Sequence, residues 1–254
     1  MNRKLRRRAM VSLAVIVLGA ALVGCSAAPR SALILDIASS LTPMQSAFSS
    51  SLTARGLAEP VVTADGTATL VRQISEGKAS DILLSADADS MVKLTDAQLV
   101  DGSTVALATN QLVLAVPAAN TARIAGIDDL NRPDVKSVRC APSVPCGKLA
   151  AQVVRENNLN YTPLTETLNV SNAVKLIASG EANAGFVYAT DVLASGGKLV
   201  VIPDRRLEKM TSVVTGAVLS SSTQKEAAHS ALSLWASTDF AQRWRDAGFI
   251  PLAK

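Results

Sequence analysis

Short apolar runs rich in β-branched residues alternate along the chain with segments whose apolar residues recur at helical spacing. The short runs predict strands, and they are SALILDIASS, PVVTA, DILLSAD, TNQLVLAVP, VKSVRCAP, AGFVYAT and KLVVIPD. The helical patterns are TPMQSAFSSSLTARG, TLVRQISEG, GKLAAQVVRENN and AVKLIASG, followed by a tail, QKEAAHSALSLWASTDFAQRWRDAGF, that predicts two helices ending at Gly248. Strands that alternate with helices predict an α/β fold with mostly parallel sheets.

One part of this pattern occurs twice. TLVRQISEGKASDILLSAD and NAVKLIASGEANAGFVYAT align without gaps at an offset of 103 residues, so that Gly77 falls on Gly180. Each copy predicts a helix, a glycine C-cap, a turn and a buried strand. Because such units are common, the similarity is either a coincidence or the sign of two similar α/β lobes. In the second case, each lobe places a helix N-terminus in a corresponding position.

The first 24 residues are typical of an export signal. MNRKLRRR carries five cations, and the uncharged stretch AMVSLAVIVLGAALVG that follows is shorter than a membrane-spanning helix requires. The residues LVGC at 22–25 resemble a lipoprotein box, in which cleavage leaves Cys25 as a lipid-modified N-terminus. An ordinary secretory signal that contains a cysteine is the alternative. Residues 25–30 then form a short tether.

Removal of the signal changes the charge of the chain. The whole chain carries +4, but the signal holds five of the 25 Lys and Arg residues and none of the 21 Asp and Glu residues, which leaves −1. A near-neutral chain without a basic patch, an aromatic RNA platform or zinc-finger spacing is not expected to bind nucleic acid. The 230 residues that remain suffice for one large domain or two lobes of roughly 100 residues each.

Cys140 and Cys146 form an even pair once Cys25 is assigned to lipid. In an exported chain, this pair predicts a disulfide rather than two free thiols. Two cysteines and a single histidine cannot complete a typical structural zinc site. A catalytic dithiol is the alternative, although the spacing is not Cys-x-x-Cys and no thioredoxin-like pattern surrounds it.

Four predicted helices begin in segments rich in small and hydroxyl-bearing residues. A helix N-terminus presents unpaired N–H groups and a partial positive charge, which suits an anion. Ser, Thr and Asn also cap helices in the absence of any ligand, so capping alone is the alternative for each segment. The segments are residues 39–43 (SSLTP), 66–69 (GTAT), 145–148 (PCGK) and 169–172 (NVSN). The repeat relates the second to the fourth, which favours convergence on one cleft.

In order along the chain, ASSLTPM, GTATLVRQISEGKASDILLSAD, APSVPCG and GFVYATD resemble motifs of the periplasmic molybdate-binding proteins of ABC importers. The resemblance extends from about Ser31 to Lys254, and TLVRQISEGKASDILLSAD is its most specific part. It implies an α/β, type II periplasmic-binding-protein fold, with two lobes, a hinge and a ligand cleft between the lobes. The implied organisation is a signal at 1–24, a tether at 25–30, lobe 1 at 31–110, lobe 2 at 111–207, and a return to lobe 1 with C-terminal helices at 208–254.

The resemblance also implies five ligand contacts, all of them neutral donors. They are the hydroxyl and amide groups of Ser40 and Thr67, the backbone N–H groups of Cys146 and Val170, and the hydroxyl group of Tyr188. The donors would bind the oxygens of the anion, and none would be a direct ligand of the metal. Molybdate and tungstate are dianions that offer only acceptors, so a pocket of donors satisfies them without a buried counter-charge.

Three residues depart from the family pattern. Asp36 replaces an apolar residue just before the first binding segment, and Asp65 stands where serines are usual. We expect the carboxylate of Asp65 to point away from the ligand and to cap the helix that follows. Cys146 replaces a small apolar residue, and its expected disulfide with Cys140 would fix the third helix N-terminus at the cleft.

The resulting hypothesis is an extracytoplasmic, lipid-anchored binding protein that captures molybdate or tungstate and delivers it to the membrane subunits of an ABC permease. It is expected to be monomeric, to need no cofactor and to have no enzymatic activity, because His229, the only histidine, lies in the helical tail and no catalytic motif stands out. A binding protein for sulfate, thiosulfate, phosphate or a small organic anion is one alternative, and a structural lipoprotein is another. Lys148 is the only cation within the four segments, whereas phosphate or an organic ligand favours an arginine or an acceptor.

Overall fold

The computed structural model describes residues 32–253. The predicted export signal at residues 1–24, the lipidation of Cys25 and the tether at residues 25–30 lie outside the described residues. Within residues 32–253, no helix has both the length and the apolar character needed to cross a membrane.

The strands of the described chain form two sheets that share one long strand. That strand is β4, in which the residues up to Gln111 pair with β9 and the residues from Leu112 onward pair with β7 and β8. The strands are β1 Ile34–Ala38, β2 Val61–Asp65, β3 Ile82–Ser85, β4 Val100–Pro117, β5 Ser137–Cys140, β6 Thr165–Thr167, β7 Ala184–Tyr188, β8 Leu199–Ile202, β9 Thr211–Leu219 and β10 Ile250–Pro251.

Each sheet forms the centre of one lobe. The first lobe has the strand order β2-β1-β3-β9-β4, with β10 also paired to β4. The second lobe continues from β4 through β7 and β5 to β6, with β8 also paired to β4. Because β4 passes from one sheet into the other, it joins the lobes through the centre of the molecule.

Helices cover both sheets. In the first lobe they are α1 Gln45–Thr53, α2 Thr67–Ser75, α3 Ala88–Asp96, α7 Lys225–Trp235 and α8 Thr238–Asp246, together with a 3-10 helix at Ser39–Met44. In the second lobe they are α4 Pro145–Glu156, α5 Val170–Ala178 and α6 Ala189–Ala194, with 3-10 helices at Ile127–Asn131 and Arg205–Leu207.

The α/β prediction is confirmed, but the expectation of mostly parallel sheets is wrong. Parallel pairing is limited to β1 with β2 and β3, and to β5 with β6 and β7. All pairings of β4 and β9 are antiparallel. These two strands make the sheets mixed because β9 returns from the second lobe and inserts between β3 and β4.

The internal repeat corresponds to equivalent elements in the two lobes. α2 and α5 both begin and end at positions related by the offset of 103 residues. Gly77 and Gly180 follow these helices with φ angles of +97° and +79°, which an L side chain adopts at a cost. The matched positions support two similar lobes over a coincidence of common patterns.

An aromatic cluster fills the core of the first lobe. Phe48 contacts the rings of Trp235, Phe240 and Trp244, with ring centroids 4.7 to 6.1 Å apart. Both tryptophans are fully buried and donate their ring N–H groups, Trp235 to the hydroxyl of Ser51 and Trp244 to the carbonyl of Trp235. Satisfied indole donors in an apolar cluster are typical of a structural core.

Asp36, the residue that departs from the family pattern in β1, forms a buried ion pair. Its side chain is fully buried, and its Oδ1 lies 2.6 Å from Nζ of Lys78, whose side chain is 29% exposed. The other carboxylate oxygen of Asp36 accepts no hydrogen bond within the described part of the chain. The lysine is therefore the main compensation for a charge that burial makes costly.

We expect Lys78→Met to lower the free energy of unfolding by about 3 kcal/mol, because it leaves the Asp36 carboxylate buried and unpaired. Urea unfolding at pH 7 measures this loss. Lys225→Met, which removes an ion pair whose side chains are 43% and 31% exposed, is the control and should change the stability little, because water screens this pair. Adding Asp36→Leu to Lys78→Met should restore most of the stability, and a double variant as unstable as Lys78→Met would contradict this account.

Candidate functional site

A small cavity lies where the two lobes meet. Its volume is about 20 Å³, far below the roughly 300–1,000 Å³ typical of sites for drug-sized ligands. Its size suits a small ion rather than a larger organic molecule. The first lobe lines it with Ala38, Ser39, Ser40, Gly66, Thr67 and Ala86, and the second lobe lines it with Val144, Pro145, Cys146, Leu168, Asn169, Val170 and Tyr188.

All five predicted contact residues line this cavity. Each is 1% to 4% exposed, so the closed site is shielded from bulk water. The structure thus brings together positions that are as many as 148 residues apart in the sequence. Their contact with a ligand remains a prediction. The residues are Ser40, Thr67, Cys146, Val170 and Tyr188.

Three α-helices begin at the cavity. α2 begins at Thr67, α4 at Pro145 and α5 at Val170, and the 3-10 helix that precedes α1 begins at Ser39. The N–H groups of a first helical turn have no partner within the helix. Since proline has no N–H, the first such donor of α4 belongs to Cys146. The helix starts therefore direct backbone donors and their partial positive charge towards one small space.

The hydroxyl group of Thr67 is oriented by the fold. Its oxygen accepts a hydrogen bond from the backbone N–H of Ala86 at 3.1 Å, and both groups are buried. That bond occupies the oxygen as an acceptor and leaves its proton to be donated. Because both residues line the cavity, Thr67 can serve as a hydroxyl donor in addition to its backbone N–H.

The hydroxyl group of Tyr188 is buried at the cavity without a hydrogen-bond partner among residues 32–253. The hydroxyl of Ser212 lies near it, but Ser212 donates to the carbonyl oxygen of Ala86. Burial raises the pKa of Tyr188 and outweighs the opposing effect of Ser212, so the phenol stays protonated at neutral pH. An unpaired buried donor is costly, and an acceptor in the cavity would remove that cost.

Asn169 caps α5 and leaves its first donors available. Its side-chain oxygen accepts a hydrogen bond from the N–H of Asn172 at 3.0 Å, the third residue of the helix. This cap therefore satisfies the third N–H of the helix and not the first, which belongs to Val170. The same side chain donates from Nδ2 to Oδ1 of Asp65 at 3.4 Å, across the boundary between the lobes.

Asp65 only partly follows its predicted role. It is absent from the cavity lining, as expected, but it does not cap α2, whose N-cap residue is Gly66. Its Oδ1 instead accepts the N–H of Gly66 at 2.6 Å and the amide of Asn169. The hydrogen bonds from the N–H of the following Gly66 and from the opposing Asn169 together turn the carboxylate towards the other lobe.

The disulfide between Cys140 and Cys146 closes the turn before α4. β5 ends at Cys140, and the bonded Cys146 is the second residue of the helix. A Cβ atom at Gly147 would overlap the carbonyl group of Ala141, so the turn packs directly against the helix. The bond therefore fixes the position of the Cys146 N–H relative to the second sheet.

Within residues 32–253, no charged side chain lines the cavity. Its walls combine backbone N–H groups, the hydroxyls of Ser39, Ser40, Thr67 and Tyr188, and apolar groups. Among the described residues, no group of three or more His, Cys, Asp or Glu side chains could hold a metal ion. The chemistry of this donor set fits an acceptor-only anion rather than a bare cation.

His229, the only histidine of the chain, belongs to the surface of the first lobe. It lies on α7, its side chain is 44% exposed, and its Nε2 is 2.9 Å from Oδ2 of Asp101. It is not among the residues that line the cavity.

Leu168 and Ala86 also line the cavity, but the sequence did not assign them to the site. Their contacts use backbone groups, the carbonyl of Leu168 against Gly66 and the N–H of Ala86 to Thr67, which do not depend on the type of side chain.

A family model for bacterial extracellular solute-binding proteins matches residues 36–250. The chain belongs to this family. The family and the similar structures are solute-binding proteins of transport systems, not enzymes. This solute-binding protein therefore has the two-lobed α/β fold that the sequence resemblance implies.

Relatives with curated names share part of its sequence. The molybdate-binding protein ModA of Mycobacterium tuberculosis (strain H37Rv) is 31% identical over 159 residues, which cover 63% of this chain and 61% of that protein. The match thus spans about three fifths of the length of this relative.

Two solved structures share the fold. The periplasmic molybdate-binding protein of Azotobacter vinelandii has a TM-score of 0.71 at 20% identity, covering 86% of this chain and 98% of its own. The sulfate-binding protein SubI of Mycobacterium tuberculosis H37Rv has a TM-score of 0.73 at 18% identity, covering 88% of both chains. At these identities the similarity shows the fold alone.

Asp191 predicts a pH dependence of stability next to the site. Its Oδ2 accepts the N–H of Tyr188 at 2.9 Å, and burial raises its pKa to about 7 although this hydrogen bond opposes the shift. The folded state therefore holds a proton that the unfolded state has released between about pH 4 and pH 7, so stability falls as the pH rises through this range.

We expect Asp191→Asn to stabilise the protein relative to wild type by about 2–3 kcal/mol more at pH 8 than at pH 5. Asparagine keeps an acceptor for the Tyr188 N–H, so the comparison isolates the charge. Urea unfolding at the two pH values measures the difference. Asp239→Asn, a change in the first turn of α8 remote from the cavity, is the control. An Asp191→Asn effect that does not change with pH would refute the raised pKa.

We expect the double change Cys140→Ala and Cys146→Ala to lower the free energy of unfolding by about 2 kcal/mol, because the bond closes a short loop. Urea unfolding checks this. Dithiothreitol should lower the stability of the wild type to a similar level and leave the double variant unchanged. A wild type that is insensitive to the reductant would show that the two thiols are not bonded in solution.

Proposed function

We propose that this solute-binding protein captures molybdate or tungstate outside the cytoplasm and delivers it to an ABC permease. The observation that carries the proposal is the uncharged cavity, in which the unpaired hydroxyl of Tyr188 and three α-helix N-termini present donors to one small space. The names of the curated relative and of one structural neighbour support the choice of molybdate.

The donor set discriminates by protonation. Molybdate and tungstate carry two charges and no proton at neutral pH, so every oxygen can accept a hydrogen bond. Phosphate retains a P–OH group, and in the described part of the chain no carboxylate lines the cavity to accept its proton. Moving this P–OH group out of water without giving its proton a new acceptor costs free energy and disfavours phosphate.

Sulfate or thiosulfate is the second candidate. Sulfate is also a proton-free dianion, and the sulfate-binding protein SubI shares the fold. Donor chemistry alone does not separate sulfate from the larger molybdate, so the separation falls to the size of the closed cavity. The alignment with the molybdate-binding relative is the reason to place molybdate first.

The proposal includes the delivery route. The lipoprotein box predicts attachment of Cys25 to the outer face of the cell membrane, and mass spectrometry of the purified N-terminus would detect the lipid.

The predicted hinge lies at the lobe boundaries near residues 110–111 and 207–208, where β4 leaves the first sheet and the chain returns to it. Lobe closure on the anion would create the surface that the permease binds, with the protein acting as a monomer.

We expect molybdate and tungstate at about 100 times Kd to add roughly 2.7 kcal/mol of stability, which raises Tm by about 5–10 °C. Thermal unfolding with molybdate, tungstate, sulfate and phosphate in turn makes the test. A shift with sulfate alone would keep the fold and reassign the ligand. No shift with any of the four would refute an oxyanion site.

Tyr188→Phe should weaken molybdate binding roughly 10- to 100-fold, because it removes a hydrogen bond to a charged ligand. Calorimetry measures the change. Tyr161→Phe is a matched control, since Tyr161 is the only other tyrosine, and its hydroxyl is likewise buried and unpaired among the described residues but does not line the cavity. Equal losses in the two variants would argue against a contact between Tyr188 and the ligand.

A further inference from the structure

Lys148 is a charged residue beside the cavity that does not line it. It lies on α4 in the second lobe, two residues after Cys146, yet its Nζ is 2.8 Å from Oδ2 of Asp87 and 3.5 Å from Oδ2 of Asp89 in the first lobe. Among the ion pairs of residues 32–253, only those of Lys148 join the two lobes. The side chains of Lys148 and Asp87 are 39% and 13% exposed, so the pair is partly shielded from water.

The lobes are closed on each other in this structure. The carbonyl group of Leu168 leaves no room for a Cβ atom on Gly66 in the opposite lobe. The hydrogen bond from Asn169 to Asp65 crosses the same boundary. Lys148 therefore reaches Asp87 in a state in which the cavity walls from both lobes are assembled.

The carboxylate of Asp87 acts on the cavity electrostatically. Burial is the main cause of the raised pKa of Tyr188, and the charges of Asp191 and Asp87 raise it further. A carboxylate whose charge reaches the Tyr188 hydroxyl also opposes a dianion beside that hydroxyl. The ammonium group of Lys148 compensates this charge only when the two lobes approach each other.

We propose that Lys148 is a positioning residue that holds the lobes closed over the anion by bridging Asp87 and Asp89, and that it neutralises Asp87 next to the bound ligand. The ligand in this statement rests on the proposed function, whereas the bridge between the lobes does not. The bridge stabilises the closed state, because separation of the lobes breaks it. The folding of each lobe does not depend on the bridge. Its removal should therefore speed ligand release more than it slows capture.

A double-mutant cycle with Lys148→Met, Asp87→Asn and the combined variant tests the bridge. Asn at position 87 can keep the N-cap of α3, in which Asp87 Oδ1 accepts the N–H of Ser90 at 3.1 Å. We expect Lys148→Met to weaken molybdate binding about threefold to tenfold, which is at or above the range of exposed ion pairs. In about 0.5 M KCl, where the bridge is screened, the Tm of the ligand-free protein should change by less than about 1 °C. Effects that add without coupling would overturn the proposal.

Two further variants distinguish the bridge from a general effect of charge. Lys148→Arg keeps the positive charge and should restore most of the affinity lost in Lys148→Met. Lys225→Met removes an ion pair of 2.7 Å with Asp101 inside the first lobe, and it should leave binding unchanged. Raising KCl to about 0.5 M should reduce the difference between wild type and Lys148→Met. Equal losses from Lys225→Met and Lys148→Met would count against the bridge.

Small-angle X-ray scattering separates failure of this proposal from failure of the proposed function. If the wild type binds none of the four oxyanions, the proposed function is wrong, and the bridge is judged on ligand-free protein. In about 0.02 M KCl the wild type should then have a smaller radius of gyration than Lys148→Met, and the difference should disappear in about 0.5 M KCl. Equal radii at low salt would overturn the bridge, whatever the ligand.

Discussion

The site depends on bringing helix N-termini from two lobes to one point without a side chain between them. Gly66 meets the carbonyl of Leu168 across the cleft, and Gly147 meets the carbonyl of Ala141 within the second lobe, and neither position has space for a Cβ atom. These close approaches let the first turns of α2, α4 and α5 share one small cavity. The disulfide at Cys146 adds a covalent constraint on one of the three and holds the Cys146 N–H in place relative to the second sheet.

Full charges are kept just outside this cavity. Asp65 turns to Asn169, Asp87 is paired with Lys148, and Asp191 accepts a backbone N–H while burial raises its pKa. A buried counter-ion would attract every anion, whether protonated or not, and would have to be desolvated when the site is empty. Neutral donors avoid that cost and favour ligands whose oxygens are all acceptors. Under the proposed function, selectivity would come from hydrogen-bond polarity rather than from net charge.

Much of this arrangement follows from the sequence, because capping residues, proline at a helix start and a glycine C-cap are local signals. The repeat gave the matching bounds of α2 and α5, and the family motifs named Tyr188, whose position beside the cavity no local pattern reveals. β9 escaped prediction although TSVVTGAVL is rich in β-branched residues. Without β9, the antiparallel centre of the sheets was not predicted either, because strand direction depends on which strands become neighbours. The partner of Lys148 lies 61 residues away in the chain, and such a pairing is visible only once the lobes are assembled.

The two charged residues that depart from the family pattern, Asp36 and Asp65, have different consequences. Asp36 is paired with Lys78 inside the first lobe, so its effect falls on the stability of that lobe. Asp65 contacts the second lobe through Asn169, so its effect falls on the boundary between the lobes. Lys148 and Asp87 act at the same boundary. In this chain, therefore, Asp65 and Asp87 make their charged contacts at the boundary between the lobes, while neutral donors line the cavity.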